Sequence, residues 1–152
     1  MSERPNISGD LIWEVVRNNN AFLVKRKSGG GVQFSRDPFN LTNKHSRKHA
    51  GFVNDKAASI QLNEKGGVTL LTKKTGSSHK PASHHNTHAY GKTASNRKIY
   101  KNVADAIGKR SYRGDLNRDA VARASALKDS QRPKKDTPEK KPRGLKGRKT
   151  EA

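Results

Sequence analysis

Residues that can build a hydrophobic core are scarce in this chain, and that scarcity limits what it can fold into. Leu, Ile, Val and Phe supply 26 of 152 residues, about 17%, which is below the level of roughly 20% under which highly charged chains tend to be disordered. The composition therefore predicts one small folded unit, with the rest of the chain extended or ordered by a partner. A membrane span is not expected, because the longest apolar stretches, 11–13 and 68–71, fall far short of the roughly 18 residues required. Residues 2–5 lead into no apolar region, so no signal peptide is expected.

The net charge points to the class of partner. The chain has 33 Lys and Arg against 13 Asp and Glu, which leaves a formal charge of +20. Such a chain repels itself when compact and gains free energy by releasing counterions from a polyanion, so nucleic acid is the predicted partner. An anionic membrane surface is the weaker alternative, because the helical stripes are mainly Ala and Val. The absence of cysteine excludes disulfides and thiolate sites and fits a reducing compartment.

The first unit, 1–72, is predicted to be a helix followed by a small antiparallel sheet. Asp10 is the candidate N-cap of the helix. The predicted segments, in chain order, are a helix from Leu11 to Val16, strands at 21–27 and 32–35, an exposed basic loop at 40–49, and a hairpin of 57–62 with 68–72. Residues 51–53 are a candidate third partner of the second hairpin.

The second half of the chain divides into three further segments. Residues 73–96 lose hydrophobic periodicity and are predicted to be an extended basic linker. A helical pair follows over 97–131. Ser95 or Asn96 is the expected N-cap and Gly108 the expected C-cap of the first helix, and Asp115 is the expected N-cap of the second. The apolar stripes of the pair are Ile99, Val103, Ala106 and Ile107 in the first helix and Leu116, Ala120, Val121, Ala124 and Leu127 in the second. Residues 132–152 contain nine Lys and Arg and are predicted to be a basic tail. The predicted fold class is therefore α+β.

Catalytic and metal chemistry are not favoured by the sequence. The few acidic residues are mostly assigned to caps and turns, and the glycine runs lie in hairpin turns rather than between a strand and a helix. The strongest metal candidate is the trio His84, His85 and His88, since His84 and His88 would share a helical face. That segment has no helical pattern, no thiolate and no nearby carboxylate, so contact with nucleic acid is the preferred interpretation. No cofactor is predicted.

Four aromatic residues have two interpretations each. Trp13 could stack on a base, but its apolar neighbours in the first helix favour core packing. Tyr90, Tyr100 and Tyr112 each lie within three residues of Lys or Arg, so they could stack on bases or cover the helical pair.

The distribution of charge favours folded RNA over a single DNA groove. Lys and Arg recur in nearly every predicted element, whereas a sequence-specific DNA reader concentrates its donors on one recognition element. A small core with basic loops and a basic tail suits a protein that neutralises phosphates where RNA helices approach each other. The predicted RNA-binding residues are Lys25, Arg26, Lys27, Lys44, Arg47, Lys48, Lys73, Lys74, Lys80, Lys92, Arg97, Lys98, Lys101, Lys109, Arg110, Arg113, Arg118, Arg123, Lys134, Lys135, Lys140, Lys141 and Arg143.

Five stretches carry a resemblance to a known family. They are Asp10 to Asn18, Ala21 to Arg26, His45 to Val53, Tyr112 to Leu116, and Ala122 to Ala126. The chain resembles the eukaryotic large-subunit ribosomal protein family number twenty-eight, eukaryotic type, over about residues 10–133. Tyr112 to Leu116 looks like the family's signature before the last helix, and the resemblance is weakest over 73–96.

The resemblance implies an α+β domain on the surface of the large ribosomal subunit that binds ribosomal RNA and neighbouring ribosomal proteins without catalysis. It implies a cytoplasmic protein that passes through the nucleus and nucleolus during assembly, with no membrane or small-molecule partner and no homo-oligomer. The Mak16 assembly factors share the first domain, but they carry cysteines after the hairpin and a long acidic extension, which this chain lacks. An assembly factor of that type and a chromatin DNA-binding protein are the two alternatives.

Overall fold

The computed structural model describes residues 7–28, 30–77, 80–109 and 111–138, and it confirms the α+β fold class. A short helix comes first, two small antiparallel sheets follow, and two helices complete the described chain. The two hairpins belong to separate sheets, one of two strands and one of three.

Helix α1 spans Gly9–Val16, and its cap differs from the expected one. The N-cap is Ser8, whose hydroxyl oxygen accepts a hydrogen bond from the backbone N–H of Leu11 at 3.2 Å. The expectation that Asp10 caps this helix is wrong, because the helix already includes Asp10. Its carboxylate instead accepts a hydrogen bond from Arg47 at 2.8 Å.

The first predicted hairpin is confirmed. Strand β1 (Leu23–Lys25) pairs antiparallel with β2 (Gln33–Ser35), and Val24 lies opposite Phe34. Phe34 also forms an isolated antiparallel bridge with Lys44. The basic loop that follows the hairpin is thereby attached to the sheet.

The second predicted hairpin is also confirmed, as β3 (Ala58–Leu62) and β4 (Val68–Lys73). Its turn places Gly66 and Gly67 at φ of 80° and 96°, a left-handed conformation that glycine adopts without strain. The expectation of a strand at 51–53 is wrong. The backbone there forms a turn, in which the amide of Val53 donates to the carbonyl of Ala50 at 3.3 Å.

The three-stranded sheet is completed by β5 (His85–Tyr90), which pairs with β4 so that Val68 lies opposite Tyr90. This strand lies inside the segment 73–96, which was expected to be a linker without a folded partner, so that expectation is wrong for residues 85–90. The strand has no regular alternation of apolar and polar residues, so the side-chain pattern does not predict it. Backbone pairing with β4 stabilises it instead.

The helical pair is confirmed, and Ser95 is the N-cap of its first helix, as one of the two predicted alternatives, but the caps predicted at Gly108 and Asp115 are wrong. Helix α2 (Asn96–Ala104) continues directly into a π turn (Asp105–Lys109), so Gly108 lies inside helical backbone and is not a left-handed C-cap. A 3-10 turn (Gly114–Leu116) then leads into α3 (Asn117–Ser130). Asp115, the expected N-cap of α3, is within that turn.

One core joins the three-stranded sheet to the helical pair. Its buried members are Leu41, Ala58, Ile60, Val68, Leu70, Ile99, Val103, Ile107, Leu116, Ala120 and Ala124. The apolar stripes predicted for both helices therefore face the sheet and each other, as expected. A second, smaller cluster of Trp13, Ala50 and Val53 holds α1 against the loop that precedes β3.

In the described part of the chain, none of the helices combines the length and the apolar character needed to cross a membrane.

Candidate nucleic-acid interface

Most of the predicted RNA-binding side chains are exposed, and they are distributed along most of the described chain. The exposed ones are Lys25, Arg26, Lys27, Lys44, Lys48, Lys74, Lys80, Lys92, Arg97, Lys98, Lys101, Lys109, Arg118, Lys134 and Lys135. Arg47, Lys73, Arg113 and Arg123 are only partly exposed. Arg110, Lys140, Lys141 and Arg143 lie outside the described residues. The exposed cations can meet phosphates from several directions, because they are carried by β1, α2, the π turn, α3, the loops between the elements and the segment after α3.

The basic loop between β2 and β3 is held in shape by buried polar side chains. Asp37 is 4% exposed, and its two carboxylate oxygens accept hydrogen bonds from the backbone N–H groups of Phe39 and Phe52 at 2.9 and 3.0 Å. Asn40 is 2% exposed, and its amide donates to the carbonyl of Lys44 at 2.8 Å. These contacts fix the backbone from which the cations of this loop project.

Arg113 forms hydrogen bonds that join two parts of the fold. Its guanidinium donates to both carboxylate oxygens of Asp115, at 2.8 and 2.7 Å, and to the backbone carbonyls of Lys56 and Lys48, each at 3.0 Å. The hydrogen bond from Arg113 lowers the pKa of Asp115 below its ordinary value. Arg113 therefore ties the 3-10 turn to the loop before β3, and few of its donors are left for a phosphate.

Arg47 and Arg123 are occupied in a similar way. Arg47 donates to Asp10 at 2.8 Å and also to Asn54, which joins α1 to the loop. Arg123 donates to the carbonyls of Ile60 and Leu41 at 3.2 and 3.1 Å, which joins α3 to β3 and to the loop. The sequence could not distinguish these structural arginines from solvent-exposed ones, because Asp10, the partner of Arg47, and the carbonyls that bind Arg123 are distant in the chain.

Lys73 has lost much of its contact with water. Its ammonium donates to the carbonyls of Gly51 and Asn54 at 2.7 and 3.2 Å, and it lies 5.8 Å from the centroid of the Phe39 ring. Burial lowers the pKa of Lys73, and the negative charges of Asp37 and Asp55 act in the opposite direction. This lysine holds the loop to the end of β4.

Lys48 and His49 are joined to α3 through Asp119. The Asp119 carboxylate lies 3.3 Å from the Lys48 ammonium and 3.0 Å from His49 Nε2, while the Ser46 hydroxyl lies 2.8 Å from His49 Nδ1. These distances fit a histidine that donates from Nε2 to Asp119 and accepts from Ser46 at Nδ1. The hydrogen bond from His49 lowers the pKa of Asp119 below its ordinary value.

The aromatic residues pack mainly against the protein. Trp13 is 9% exposed, and its ring centroid lies 4.8 Å from that of His45, as expected for a core residue. The Tyr112 hydroxyl donates to the carbonyls of Ala57 and Lys73 at 3.1 and 2.8 Å. Tyr90 and Tyr100 pack on the main core but remain partly exposed. Tyr112 is thus held by backbone groups, whereas Tyr90 and Tyr100 pack on the core and keep part of their surface accessible.

The histidine segment belongs to the sheet rather than to a helix. His84 and His85 pack edge to face, with centroids 4.9 Å apart, and both meet the Phe39 ring at 5.9 and 6.4 Å. His88 points to the other face of the sheet, because it lies opposite the buried Leu70 of β4. Among the described residues, no group of three or more His, Asp or Glu could hold a metal ion.

Sequence reasoning left out several cations that the structure exposes. Arg17, Arg36, Lys56, Lys65 and Arg132 are all exposed, although Arg17 and Arg132 pair with nearby acids of their own helix. None of them is adjacent to another Lys or Arg, so they lie outside the basic pairs and runs that indicated most of the other RNA-binding residues. Lys128, in contrast, is 8% exposed and donates to the carbonyl of Lys92 at 3.1 Å.

A comparison with known proteins identifies relatives of this basic chain. A sequence model described as the Ribosomal L28e protein family matches residues 11–130. The large ribosomal subunit protein eL28 of Schizosaccharomyces pombe is 47% identical over 131 residues, which cover 86% of this chain and 97% of that protein. The protein of the same name from Caenorhabditis elegans is 34% identical over 127 residues, 82% of this chain and 91% of that protein. The one from Trypanosoma cruzi is 45% identical over 69 residues, 45% of this chain and 44% of that protein. Since the family model and two of these relatives each cover most of it, the chain belongs to the Ribosomal L28e protein family.

Proposed function

We propose that this protein is a structural component of the large (60S) subunit of the cytosolic eukaryotic ribosome, where it binds and stabilises folded ribosomal RNA. The observation that carries the proposal is the similarity over nearly the full length to proteins named large ribosomal subunit protein eL28. The exposed cations of β1, the two C-terminal helices and the loops support it, since they suit contacts with phosphates of several RNA segments.

The mechanism is neutralisation of phosphates by positioned cations. Buried polar groups such as Asp37 and Asn40 fix the loop backbone, and arginines such as Arg113 and Arg123 join the elements, so the exposed lysines and arginines are presented on a pre-formed frame. RNA segments that repel each other can then approach across the protein. No catalytic step and no cofactor are part of the proposal.

The proposed partners are large-subunit ribosomal RNA and neighbouring large-subunit proteins, in the cytoplasm after passage through the nucleus and nucleolus. The protein acts as a single copy, without a membrane or a small-molecule substrate. The assembly-factor alternative of the Mak16 type predicts a different location, confined to nucleolar precursors. The chromatin alternative predicts binding to DNA.

Sedimentation of the tagged protein through a sucrose gradient tests the proposal. We expect the protein in mature large subunits and in translating ribosomes, and we expect RNase, but not DNase, to release it from the heavy fractions. Confinement to nucleolar precursors would establish the assembly factor instead. Release by DNase alone would establish the chromatin protein.

A further inference from the structure

A cavity of about 270 Å³ lies between β5 and the junction of α2 with the π turn. His88 and Tyr90 line it from the strand, and Asn102, Asp105 and Ala106 line it from the helical side. The two strand residues lie opposite the buried Leu70 and Val68, so both rings are on the face of the sheet that packs against the helices. The cavity thus has one aromatic wall and one polar wall.

The composition of the cavity does not suit a phosphate. Asp105 places a carboxylate in it, and the side chain is 36% exposed, although Lys109 lies 3.0 Å away. A carboxylate repels phosphate but accepts hydrogen bonds from N–H donors. The amide of Asn102 and the imidazole of His88 add groups that can donate or accept hydrogen bonds, and the phenol of Tyr90 adds a hydroxyl. Burial raises the pKa of that phenol.

Helical spacing explains how the groups on the helical side converge. Asn102, Asp105 and Ala106 are three and four positions apart, so they share the face of the helix that lines the cavity. The π turn begins at Asp105, directly after the last residue of α2, and such turns occur frequently at functional sites. Lys98 lies one helical turn before Asn102 and is exposed, and Lys109 is exposed at the end of the π turn. Cations therefore flank the cavity on the helical side.

We propose that this cavity binds a single unpaired guanine base of ribosomal RNA. Among the four bases, guanine alone presents two adjacent N–H donors, N1–H and the 2-amino group, which one carboxylate can accept together. The aromatic wall gives the base a surface on which to stack, as in single-stranded RNA recognition generally. Lys98 and Lys109 can hold the phosphates on either side of the extruded nucleotide. The inference rests on the proposed function, since it names the element of RNA that this protein recognises.

The first test uses the full-length protein and neutral nucleosides, which carry no phosphate for the other cations to attract. Guanosine is titrated while the amide resonances of His88, Asn102 and Asp105 are followed by NMR. We expect guanosine to shift these resonances and inosine, which lacks the 2-amino group, to bind about tenfold more weakly, because one hydrogen bond to a charged group can no longer form. Adenosine should bind no better than inosine. Equal shifts with the three nucleosides, or none, would overturn the proposal.

A pair of variants distinguishes the loss of the Asp105 carboxylate from the loss of one negative charge elsewhere on the protein. D105N should weaken guanosine binding about tenfold or more, since an amide cannot accept from both donors. D129N is the matched control, because Asp129 is also an exposed acid in a helical ion pair, with Arg132, but lies on α3 away from the cavity. If D129N weakened guanosine binding as much as D105N, the effect would be one of net charge and the proposal would be wrong.

The same variants can be examined in the ribosome. Large subunits that contain the wild-type protein, D105N or D129N are treated with a 1,2-dicarbonyl reagent that modifies N1 and N2 of unpaired guanine. We expect one guanine that is protected with wild type and D129N to become reactive with D105N. If the reactivity of every guanine is unchanged, the base-pocket proposal fails. Co-sedimentation of all three proteins with the subunit in the same preparations would leave the ribosomal proposal standing, so the two failures are distinguishable.

Discussion

Arg113 and Arg118 are five residues apart and carry the same charge, but their surroundings differ. Arg113 makes four hydrogen bonds within the protein and its side chain is 18% exposed, whereas Arg118 is exposed on α3. Both were predicted from the sequence to bind RNA. The prediction could not separate them, because the carbonyls that Arg113 binds come from residues more than fifty positions away. At the scale of single residues, the contacts of each cation decide its role.

Replacement of Arg113 by Ala should therefore destabilise the fold. Removal of the guanidinium breaks its hydrogen bonds to two backbone carbonyls and to the Asp115 carboxylate, at a cost of about 1–3 kcal/mol in the free energy of unfolding. R113K should not restore stability, because an ammonium cannot reproduce the planar fork. R118A is the control: it should leave the denaturation midpoint unchanged and should lower the salt dependence of RNA binding. A midpoint for R113A equal to that of R118A would mean that the Arg113 contacts contribute nothing.

Asp119 and Asp115 make stability depend on acid pH. Hydrogen bonds from His49 and Arg113, respectively, lower the pKa of the two carboxyls below the ordinary value of 3.8. A carboxyl with a lowered pKa in the folded state stabilises the protein at pH values above 3.8, and that stabilisation is lost as pH falls through the lowered pKa. Urea denaturation at a series of acid pH values should show this loss, and D119N should reduce it. The same pH dependence in D119N and the wild type would count against the contribution of Asp119.

At the scale of elements, local patterns predicted the hairpins and the helical pair but missed what long-range pairing produces. β1 with β2 and β3 with β4 have short turns, and α2 and α3 have apolar stripes, so each could be found from adjacent residues. β5 could not, because its order comes from the backbone of β4. The π turn was missed for a related reason. The spacing of apolar residues indicates a helix, but it does not show that one of its turns contains an extra residue. The Asp105 cavity depends on both of these missed elements.

Amide exchange should detect β5 in the free protein. The strand pairs with β4 over residues 85–90, so the amides that point to β4 should exchange more slowly than those of 80–84, which precede the strand. Measurement by NMR or mass spectrometry without RNA is sufficient. Equally fast exchange across 80–90 would support the linker that the sequence predicted.

The π turn also contributes to the core through Ile107, which is fully buried. I107A should cost about 2–5 kcal/mol in the free energy of unfolding, since it removes buried methyl groups and leaves a cavity. L11A is the matched control, because Leu11 is 57% exposed on α1, and a surface substitution of this kind typically changes stability by less than about 0.5 kcal/mol. Thermal or urea denaturation compares the two. Equal stabilities for I107A and L11A would place Ile107 outside the core.

At the scale of the whole molecule, the charge of +20 is divided between a folded frame and the basic C-terminal segment. Residues 134–152 contain eight Lys and Arg and three acids, a net charge of +5, and the rest of the charge lies in 1–133. The core forms from residues between 41 and 124, so the described fold does not depend on the last nineteen residues. Removal of these residues should therefore change binding without changing folding.

Binding of the full-length protein to large-subunit RNA should weaken roughly a thousandfold or more between about 50 and 200 mM salt, if about six to ten phosphates are neutralised. Without residues 134–152, the slope of log affinity against log salt should fall by about one unit for each phosphate that the protein no longer neutralises, and the denaturation midpoint should stay the same. A chain with residues 134–152 in shuffled order is the matched control, and it should retain the full slope because phosphate attraction depends on charge rather than on order. If the shuffled chain behaved like the shortened one, the tail would bind RNA through its sequence. If shortening left the slope unchanged, the folded frame alone would make the phosphate contacts.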